Sequence, residues 1–553
     1  MKIAIAQINP IVGDFKNNAR KITEHADRAK ALGCGLIVFS ELVISGYPPR
    51  DLLEKEDFIT ANRTCLEQLT ASITGIGVIC GVVEKNTSDQ GNSLYNSAIL
   101  FEDGKTLHRI HKRLLPNYDI FDERRYFEPG AHCTVYPYGG RRIGLTVCED
   151  LWNDKDIFKR RMYALDPAAL MAQEGADLII NISASPFHAG KQAFRSRMIQ
   201  SIAAKYRIPL IFANQVGGND SILFDGLSAA YDQTGKLVAR ARDFEEDLVM
   251  LNLSDPGALQ PATGDIHPVS GSDAEATLKA LIMGTRDYVR KCGFSQVIIG
   301  VSGGIDSALT ACIAAKALGN ENVMAVFMPS RYTSAENHED TKRLAENLGV
   351  ALSVIPIDGM FQAFLKHLMP SFKENEPGIM EQNLQARIRG TILMALSNRL
   401  GSLVLSTGNK SELAVGYCTL YGDMNGGLAV ISDVPKTAVY ELSRLVNAEK
   451  ATIPQRVIDK APSAELKPDQ TDQDDLPPYE TLDPLLKGYI EEFKGPEELV
   501  AMGFDRALVA DVIARVDRNE YKRHQAAPGL KVTSKAFGYG RRYPLAQRYK
   551  PDS

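Results

Sequence analysis

The stretch Val297-Ile-Ile-Gly-Val-Ser-Gly-Gly-Ile-Asp-Ser307 decides the fold of the C-terminal half of this chain. Its apolar residues predict a buried strand, and a helical pattern, Ala308 to Ala317, follows its Gly, Ser and Asp residues directly. Such a junction presents backbone N–H groups and the positive end of a helix to an anion. Gly303 and Gly304 let a phosphate approach the backbone closely. The stretch therefore predicts a phosphate-binding loop.

Two features distinguish this loop from a Walker A loop: no Lys follows the glycines, and Asp306 lies inside it. A carboxylate beside phosphate is repulsive unless a divalent cation lies between them, so Asp306 indicates Mg²⁺. A Gly-rich turn without a ligand would explain the two glycines but not the whole pattern. The pattern resembles the pyrophosphate-binding loop of N-type ATP pyrophosphatases, which cleave ATP between its α and β phosphates to adenylate an acceptor. The resemblance implies ATP contacts from Gly300, Val301, Ser302, Gly303, Gly304, Ile305, Asp306 and Ser307.

Length and composition indicate an ordinary enzyme with more than one domain. The chain has 553 residues, of which 44% are hydrophobic and 24% are charged. Its net charge of −5 gives no electrostatic reason to expect nucleic acid as a partner. No apolar run approaches the roughly 20 residues of a membrane span. The eight cysteines lack CxxC spacing, which argues against a zinc site or a disulfide framework. We expect a cytoplasmic protein without a membrane partner.

The chain divides into two halves at a polar segment. Residues 1–255 alternate short apolar strands with helical segments, and residues 256–273 are rich in Pro, Gly, Ser and Asp, as expected of a linker. Residues 274–553 resume the alternation, which predicts an α/β fold with a doubly wound parallel sheet. Ligands of such a sheet bind at the carboxyl ends of its strands. Residues 460–479 are predicted to form a lid or binding loop within this half.

Three chemically reactive side chains stand at the ends of segments in the N-terminal half. Glu41 and Cys148 each follow an apolar strand, and Lys112 precedes a loop marked by a proline. A thiol at a strand–helix junction is expected to have a pKa lowered by positive dipoles and a nearby ammonium. A carboxylate acting as general base would complete a nucleophile system. Taken singly, each residue also has an ordinary explanation, in the core or on the surface.

Together, these three residues resemble the Glu–Lys–Cys pattern of the nitrilase superfamily, whose members are α-β-β-α sandwiches that hydrolyse amides and nitriles through a thioester. The resemblance implies that Cys148 is the nucleophile, Glu41 the general base and Lys112 the group that stabilises the oxyanion, with Glu123 as an accessory carboxylate. For a glutamine substrate it suggests Tyr118 at the amino end and Ser185 and Lys191 at the carboxylate, although packing would also explain these three.

Beyond the phosphate loop, the C-terminal half carries polar residues in the order Asn383, Thr407, Glu412, Asp423 and Lys522. This order resembles the NAD⁺ synthetases, and the whole chain resembles the glutamine-dependent members of that family. The resemblance implies ATP and Mg²⁺, with Thr407 on ATP and Asp306 with Glu412 on the metal. For deamido-NAD⁺ it implies the residues Asn383, Glu412, Asp423 and Lys522.

The reaction implied by this resemblance is the amidation of deamido-NAD⁺ to NAD⁺ with ammonia from L-glutamine. It proceeds through an adenylated carboxylate and yields AMP, pyrophosphate and glutamate. Because free ammonia near neutral pH is mostly ammonium, which is not nucleophilic, we expect a water-poor passage for ammonia between the two sites. The resemblance also implies a homo-oligomer. The partners expected are therefore small-molecule substrates and further copies of the chain.

Other readings of the sequence are open at this point. An asparagine synthetase shares the loop but needs a cysteine at its processed N-terminus, where this chain has Lys2. GMP synthetase needs a Cys-His-Glu triad, for which no convincing histidine stands at a strand turn. Another ATP pyrophosphatase ligase that acts on a different carboxylate is a further alternative. A nucleotide-binding regulatory module with an inactive first half would not need to keep Glu41, Lys112 and Cys148 together.

Overall fold

The computed structural model describes residues 1–253, 259–261, 265–368, 378–463, 465–467 and 470–549. These residues form two compact units, Met1–Gly271 and Ser272–Ser553. The predicted linker, residues 256–273, includes a short strand at Leu259–Pro261, and its residues 256–258 and 262–264 lie outside the described residues. Across the described residues, no helix combines the length and the apolar character needed to cross a bilayer.

The first unit is built on two β-sheets. Its strands are β1 (Lys2–Gln7), β2 (Leu36–Val38), β3 (Gly77–Lys85), β4 (Leu94–Glu102), β5 (Lys105–His111), β6 (Val135–Tyr138), β7 (Arg141–Val147), β8 (Leu178–Ser183), β9 (Leu210–Asn214), β10 (Val216–Asn219), β11 (Ile222–Asp225), β12 (Ala229–Tyr231), β13 (Leu237–Arg240), β14 (Asp247–Leu253) and β15 (Leu259–Pro261). One sheet has the order β15-β14-β1-β2-β3-β4-β5 and the other β13-β12-β9-β8-β7-β6, while β10 and β11 form a separate hairpin. Each sheet has a parallel centre, β1-β2-β3 or β7-β8-β9.

The helices of this unit are α1 (Phe15–Ala31), α2 (Glu56–Ser72), α3 (Glu123–Tyr126), α4 (Pro167–Gln173) and α5 (Lys191–Tyr206). Of these, α1, α2, α4 and α5 cover the outer faces of the two sheets. Alternation along β1 separates two cores: Ile3 and Ile5 pack toward the second sheet, whereas Ala4 and Ala6 pack against α1 and α2. Helices α4 and α5 pack on the far face of the second sheet. The predicted α-β-β-α sandwich is confirmed.

The second unit contains one parallel sheet. Its strands are β16 (Val297–Val301), β17 (Val323–Phe327), β18 (Ala351–Val354), β19 (Leu403–Ser406) and β20 (Leu428–Ala429). The order is β18-β17-β16-β19-β20, and every neighbouring pair is parallel. The predicted doubly wound parallel sheet is confirmed. The chain leaves β16 toward one edge of the sheet and later returns to its other side, so the end of β16 is a topological switch point, where ligands of such sheets bind.

The helices of this unit have the following bounds: α6 (Asp273–Lys291), α7 (Ile305–Leu318), α8 (Ala335–Leu348), α9 (Asp358–Leu368), α10 (Ile379–Leu400), α11 (Lys410–Val415), α12 (Lys436–Glu449), α13 (Gln455–Asp459), α14 (Tyr479–Leu486), α15 (Pro496–Ala501), α16 (Arg506–Arg518) and α17 (Glu520–Arg523). Helix α7 begins at Ile305, inside the predicted phosphate loop and before Ala308, where the sequence pattern predicted its start. A second core joins α11, α14 and α16 through residues such as Ala414, Leu482 and Val512.

Candidate active sites

In the first unit, the Lys112 ammonium lies between two carboxylates. Its Nζ is 2.8 Å from Glu41 Oε1 and 2.7 Å from Glu123 Oε1, and all three side chains are buried. Lys112 directly follows β5, and Glu123 begins α3. Charges taken this far out of water must be paired, because desolvation penalises each of them separately. Burial raises the pKa of Glu123, and Lys112 opposes that effect. Lys112 is therefore not a surface charge.

The Glu41 carboxylate is held on both of its oxygens. Asn96 Nδ2 donates to Oε1 at 2.7 Å, and the backbone N–H of Ala184, just beyond β8, donates to Oε2 at 2.9 Å. The hydroxyl of buried Tyr47 donates to Glu123 Oε1 at 2.8 Å. These donors fix the orientation of both carboxylates before any substrate arrives. The sequence analysis did not single out Asn96 or Tyr47.

Cys148 lies at the end of β7, in the first position of a tight 3₁₀ turn that spans Cys148–Leu151. Its φ of +41° is uncommon for a residue with a Cβ and is typical of functional turns. Burial raises the pKa of the Cys148 thiol, and the Glu41 carboxylate raises it further against the opposing effect of Lys112. The expectation of a lowered pKa was wrong, since desolvation and a nearby carboxylate outweigh one ammonium. The thiol is neutral and needs a base.

Asp150 connects the cysteine turn to the lysine segment. Its Oδ2 accepts from Val147 N at 3.0 Å, and its Oδ1 accepts from Arg113 N at 3.1 Å and Leu114 N at 2.9 Å. The carboxylate therefore fixes the chain on both sides of the cluster. No sequence spacing indicates this role, because it depends on the turn after β7 meeting the segment after β5 in the folded unit.

The predicted glutamine-binding residues lie around this cluster. Tyr118 donates its hydroxyl to both oxygens of Glu149, at 3.0 and 3.1 Å, and Tyr163 donates to the same carboxylate at 3.2 Å. Glu149 is buried, follows Cys148 directly and has a pKa raised by burial. The sequence analysis did not single out the Glu149 side chain. A buried carboxylate between two hydroxyls is suited to holding a small cation.

Ser185 and Lys191 lie on the segment that follows β8. Ser185 N donates to Asn214 Oδ1 at 2.9 Å, and its Oγ is 3.4 Å from Arg195 Nη1. Lys191 begins α5 and donates to the Pro186 carbonyl at 2.8 Å. Ser185 thus directly follows Ala184, whose backbone N–H holds Glu41. Lys191 is anchored to the loop between Ser185 and α5.

In the second unit, a cavity of about 310 Å³ opens beside the predicted phosphate loop. Nine of the predicted ATP and metal residues line it: Gly300, Val301, Ser302, Gly304, Ile305, Asp306, Ser307, Thr407 and Glu412. Asp423 lines it as well, and burial raises the pKa of its carboxyl to about 6. The predicted lid contributes Ser463 and Glu465 to the same wall.

The phosphate loop is held in shape by its own side chains. Gly304 N donates to Ser302 Oγ at 3.1 Å, and Ser307 Oγ donates to the Gly304 carbonyl at 3.0 Å. Gly303 is not among the residues that line the cavity. Its φ is +81°, and a Cβ placed there would lie 2.7 Å from Asn337 Oδ1. Glycine is therefore required at this position by both the backbone and its neighbour.

Lys436, which the sequence analysis did not single out, lies between the two predicted metal ligands. Its Nζ is 2.5 Å from Asp306 Oδ2 and 3.2 Å from Glu412 Oε1, and its side chain is buried. Burial raises the pKa of Glu412 despite the opposing charge of Lys436. The Lys436 ammonium therefore contacts both carboxylates at the edge of the cavity. In the described part of the chain, no cluster of three or more His, Cys, Asp or Glu is placed to hold a metal.

Two predicted deamido-NAD⁺ residues do not line the cavity. The Asn383 Oδ1 accepts from Thr419 Oγ1 at 2.8 Å. Lys522 Nζ donates to the backbone carbonyls of Gly416 and Cys418, at 2.7 and 2.9 Å. Their predicted contacts with a ligand stay predictions. Two further cations, Arg389 and Lys460, do line the cavity, and burial lowers the pKa of both.

Comparison with known proteins assigns each of the two units to a protein family. Residues 2–257 match the carbon-nitrogen hydrolase family, and residues 277–526 match the NAD synthase family. The glutamine-dependent NAD(+) synthetase of a Synechocystis species is 46% identical over 553 residues, covering 99% of each chain. That of Thermotoga maritima is 44% identical over 582 residues, covering 100% of this chain and 99% of the relative. This chain belongs to the glutamine-dependent NAD(+) synthetase family.

Solved structures agree with this assignment. The glutamine-dependent NAD⁺ synthetase of Acinetobacter baumannii in complex with ADP matches with a TM-score of 0.78 and 39% identity, covering 100% of this chain and 99% of that one. The Cytophaga hutchinsonii glutamine-dependent NAD(+) synthetase has a TM-score of 0.82 at 21% identity, covering 99% and 98%, and supports the fold alone. The predicted resemblance to the glutamine-dependent NAD(+) synthetase family is confirmed over the full length.

Proposed function

We propose that this chain is an enzyme that uses ATP and L-glutamine to convert deamido-NAD⁺ to NAD⁺, releasing AMP, pyrophosphate and glutamate. The relatives that match its full length are glutamine-dependent NAD(+) synthetases. The observation that carries the proposal is the pair of sites in one chain. Lys112 is buried between Glu41 and Glu123 in the first unit, and Asp306 and Glu412 face a phosphate-loop cavity in the second.

In the first site, Cys148 Sγ attacks the side-chain amide carbon of glutamine while Glu41 takes the thiol proton. The raised pKa of the thiol supports this order, because the neutral Cys148 must lose its proton as the bond forms. The Lys112 ammonium and the backbone N–H of Glu149 stabilise the oxyanion. Glu41 then returns the proton to the departing ammonia, leaving a thioester. Water hydrolyses the thioester to glutamate, and Glu123 holds Lys112 in place throughout.

The glutamine α-amino group is proposed to bind between Tyr118 and the Glu149 carboxylate. This assignment rests on the buried charge of Glu149, which two tyrosine hydroxyls keep oriented. Ser185 and Lys191 are proposed for the α-carboxylate, since both lie on the segment whose backbone N–H holds Glu41. A charge-paired site of this kind selects an amino acid over a simple amide.

In the second site, ATP is proposed to occupy the cavity, with its phosphates at the Ser302–Ser307 loop and Thr407 beside them. The ADP complex of the A. baumannii relative supports an adenine nucleotide. The nicotinate carboxylate of deamido-NAD⁺ attacks the α-phosphate and expels pyrophosphate. Loop N–H groups and Lys436 balance the developing charge. Ammonia then attacks the activated carboxyl carbon and expels AMP, which leaves the amide of NAD⁺.

Mg²⁺ fits this site, because Asp306 and Glu412 approach closely enough for one ammonium to contact both, and carboxylate oxygens are its preferred protein ligands. These two residues would hold the ion, and when bound it would neutralise charge on the pyrophosphate leaving group. Phosphate oxygens and water would complete its coordination.

The remaining assignments follow the family. Asn383, Glu412, Asp423 and Lys522 are proposed for deamido-NAD⁺. We propose residues 1–255 as the glutaminase domain, 256–273 as a linker and 274–553 as the synthetase domain. A cytoplasmic location and a homo-oligomer are proposed, without a nucleic-acid or membrane partner.

Oxygen transfer tests the adenylation step. Deamido-NAD⁺ carrying ¹⁸O in its nicotinate carboxylate is incubated with the chain, ATP, Mg²⁺ and glutamine, and the products are measured by mass spectrometry. Attack of the carboxylate on the α-phosphate requires one ¹⁸O in AMP for each NAD⁺ formed. Formation of NAD⁺ with unlabelled AMP would rule out the proposed intermediate, and absence of NAD⁺ would rule out the proposed acceptor.

A further inference from the structure

Helix α12 depends on a distant carboxylate to begin where it does. Its first residue is Lys436, and the preceding Pro435 offers no side chain to cap the helix. Asp483, on α14, supplies the missing acceptor. Its Oδ2 accepts from Thr437 N at 2.8 Å and from Thr437 Oγ1 at 2.7 Å. The first turn of a helix has unpaired N–H groups, and a negative charge there is also favoured by the helix dipole.

The other oxygen of the same carboxylate reaches Lys436 through a serine. Ser411 Oγ donates to Asp483 Oδ1 at 2.5 Å and accepts from Lys436 N at 2.9 Å. Ser411 belongs to α11, where it directly precedes Glu412. One carboxylate therefore ties together the helix that carries Lys436 and the helix that carries Glu412.

This arrangement lies behind the cavity and not in its wall. Asp483 is 8% exposed and does not line the cavity, whereas Lys436 and Glu412 do. Ser411 and Lys436 are each 1% exposed, so no water can replace a lost partner in this region without rearrangement. Any influence of Asp483 on a ligand must therefore pass through the residues it holds.

We propose that Asp483 is a positioning residue for the ATP-dependent reaction, because it fixes the backbone from which Lys436 reaches Asp306 and Glu412. The proposal rests on the function proposed above for this cavity. It adds a residue from α14 that does not line the cavity and yet sets the place of the ammonium beside the phosphate loop.

The chemistry of the site requires a carboxylate at position 483. Three donors converge on it: the Ser411 hydroxyl, the Thr437 N–H and the Thr437 hydroxyl. An ionised carboxylate only accepts, so it satisfies all three. Asp483→Asn has the same shape, but only its carbonyl oxygen accepts. Even if the Ser411 hydroxyl turns to accept from the new NH₂ group, its own buried proton loses its acceptor. The link from Asp483 through Ser411 to the first turn of α12 is then weakened, and we expect the Lys436 ammonium to be held less firmly.

The test uses the full chain and compares Asp483→Asn with wild type. ATP binding is measured by calorimetric titration, where stoichiometry reports the folded fraction and Kd reports the site. NAD⁺ synthesis is measured with ammonium chloride as nitrogen source, which bypasses Cys148. We expect unchanged stoichiometry, an ATP Kd weakened about tenfold, and a kcat/KM for ATP lowered about thirtyfold, as for a lost charge-assisted contact. Glutamine hydrolysis without ATP is expected to be unchanged.

Asp505→Asn is the matched control. Asp505 caps α16 in the same unit, accepting from Leu508 N at 2.9 Å, and it does not line the cavity. The same substitution there is expected to change the ATP Kd by less than about twofold. An equal effect from both variants would show a general loss of stability and would overturn the proposal.

A double-mutant cycle identifies the route of the effect. If Asp483 acts through Lys436, the chain with both Asp483→Asn and Lys436→Met loses no more activity than Lys436→Met alone. Multiplied losses would overturn the proposal, and so would an Asp483→Asn chain that binds ATP as wild type does. If Asp483→Asn does not fold, Ser411→Ala takes its place in the cycle with Lys436→Met. Ser411→Ala alone is then expected to lower the activity about fivefold. Failure of the proposed function is distinct, since wild type itself would then not bind ATP.

Discussion

Removing the Lys112 ammonium leaves two buried carboxylates without a counter-charge. In the Lys112→Met variant, Glu41 keeps Asn96 and the Ala184 N–H, while Glu123 keeps only the Tyr47 hydroxyl. Breaking a buried ion pair by removing one partner costs about 3–5 kcal/mol, because the other charge stays out of water. Since Lys112 has two such partners within 2.8 Å, we expect a loss of about 4 kcal/mol in the free energy of unfolding at pH 8.

The pH dependence of this loss follows from Glu123. Burial raises its pKa even in the wild type, where Lys112 opposes the rise, so in the variant the pKa increases further. A carboxyl whose folded-state pKa lies above its unfolded value favours folding below the unfolded value, about 4.3, and loses that contribution as pH rises through the folded value. The stability lost by the variant is therefore smaller at pH 5 than at pH 8.

The single tryptophan of the chain, Trp152, makes the measurement specific to the first unit. Urea unfolding of the full chain, followed by its fluorescence at pH 5 and pH 8, gives the free energy of unfolding of that unit. Lys30→Met, which alters an exposed lysine of α1, is the control and is expected to change stability by less than about 0.5 kcal/mol. An equal loss at both pH values, or a loss below about 1 kcal/mol at pH 8, would refute the reasoning.

Three further predictions concern individual contacts. Gly303→Ala is expected to lower kcat/KM for ATP in NAD⁺ synthesis at least about tenfold. The control is Gly293→Ala, where φ is +84° but nothing lies within 4 Å of the added Cβ. That variant is expected to keep kcat/KM for ATP within about twofold of wild type. Tyr118→Phe is expected to raise the KM for glutamine about tenfold without changing the reaction with ammonium; an unchanged KM would remove it from the amino-group site. Asn96→Leu withdraws a donor from Glu41 and is expected to lower kcat of glutamine hydrolysis about tenfold, while unchanged kcat would show that the general base needs no such support.

The sequence predicted those parts of the molecule that local order determines. The apolar run Val297–Val301 and the loop residues after it predicted a strand, a loop and a helix, because all three depend on neighbouring residues. The parallel sheet of the second unit followed from the alternation of strands and helices, whereas the α-β-β-α sandwich of the first unit was implied by the nitrilase resemblance. Glu41 and Cys148 could be identified because each stands at the end of a parallel strand, where functional side chains collect.

Contacts between distant segments were beyond the reach of the sequence. Lys436 is 130 residues from Asp306, and no spacing indicates that they meet. Asp150 acts through backbone donors, which leave no residue pattern. The pKa of Cys148 was predicted in the wrong direction because burial, unlike the type of neighbouring residue, is set by the whole fold. For the same reason, the orientation of Lys522 toward backbone carbonyls was not foreseen.

The central claim is that one chain joins glutamine hydrolysis at Cys148 to ATP-dependent amidation in its second unit. Its most direct test measures ¹⁵N in NAD⁺ formed by wild type and by Cys148→Ala from amide-labelled glutamine or from labelled ammonium, with ATP, Mg²⁺ and deamido-NAD⁺. The account predicts labelled NAD⁺ from both sources in wild type and from ammonium alone in the variant. Labelled NAD⁺ from glutamine in the Cys148→Ala chain, or its absence from both sources in wild type, would contradict it.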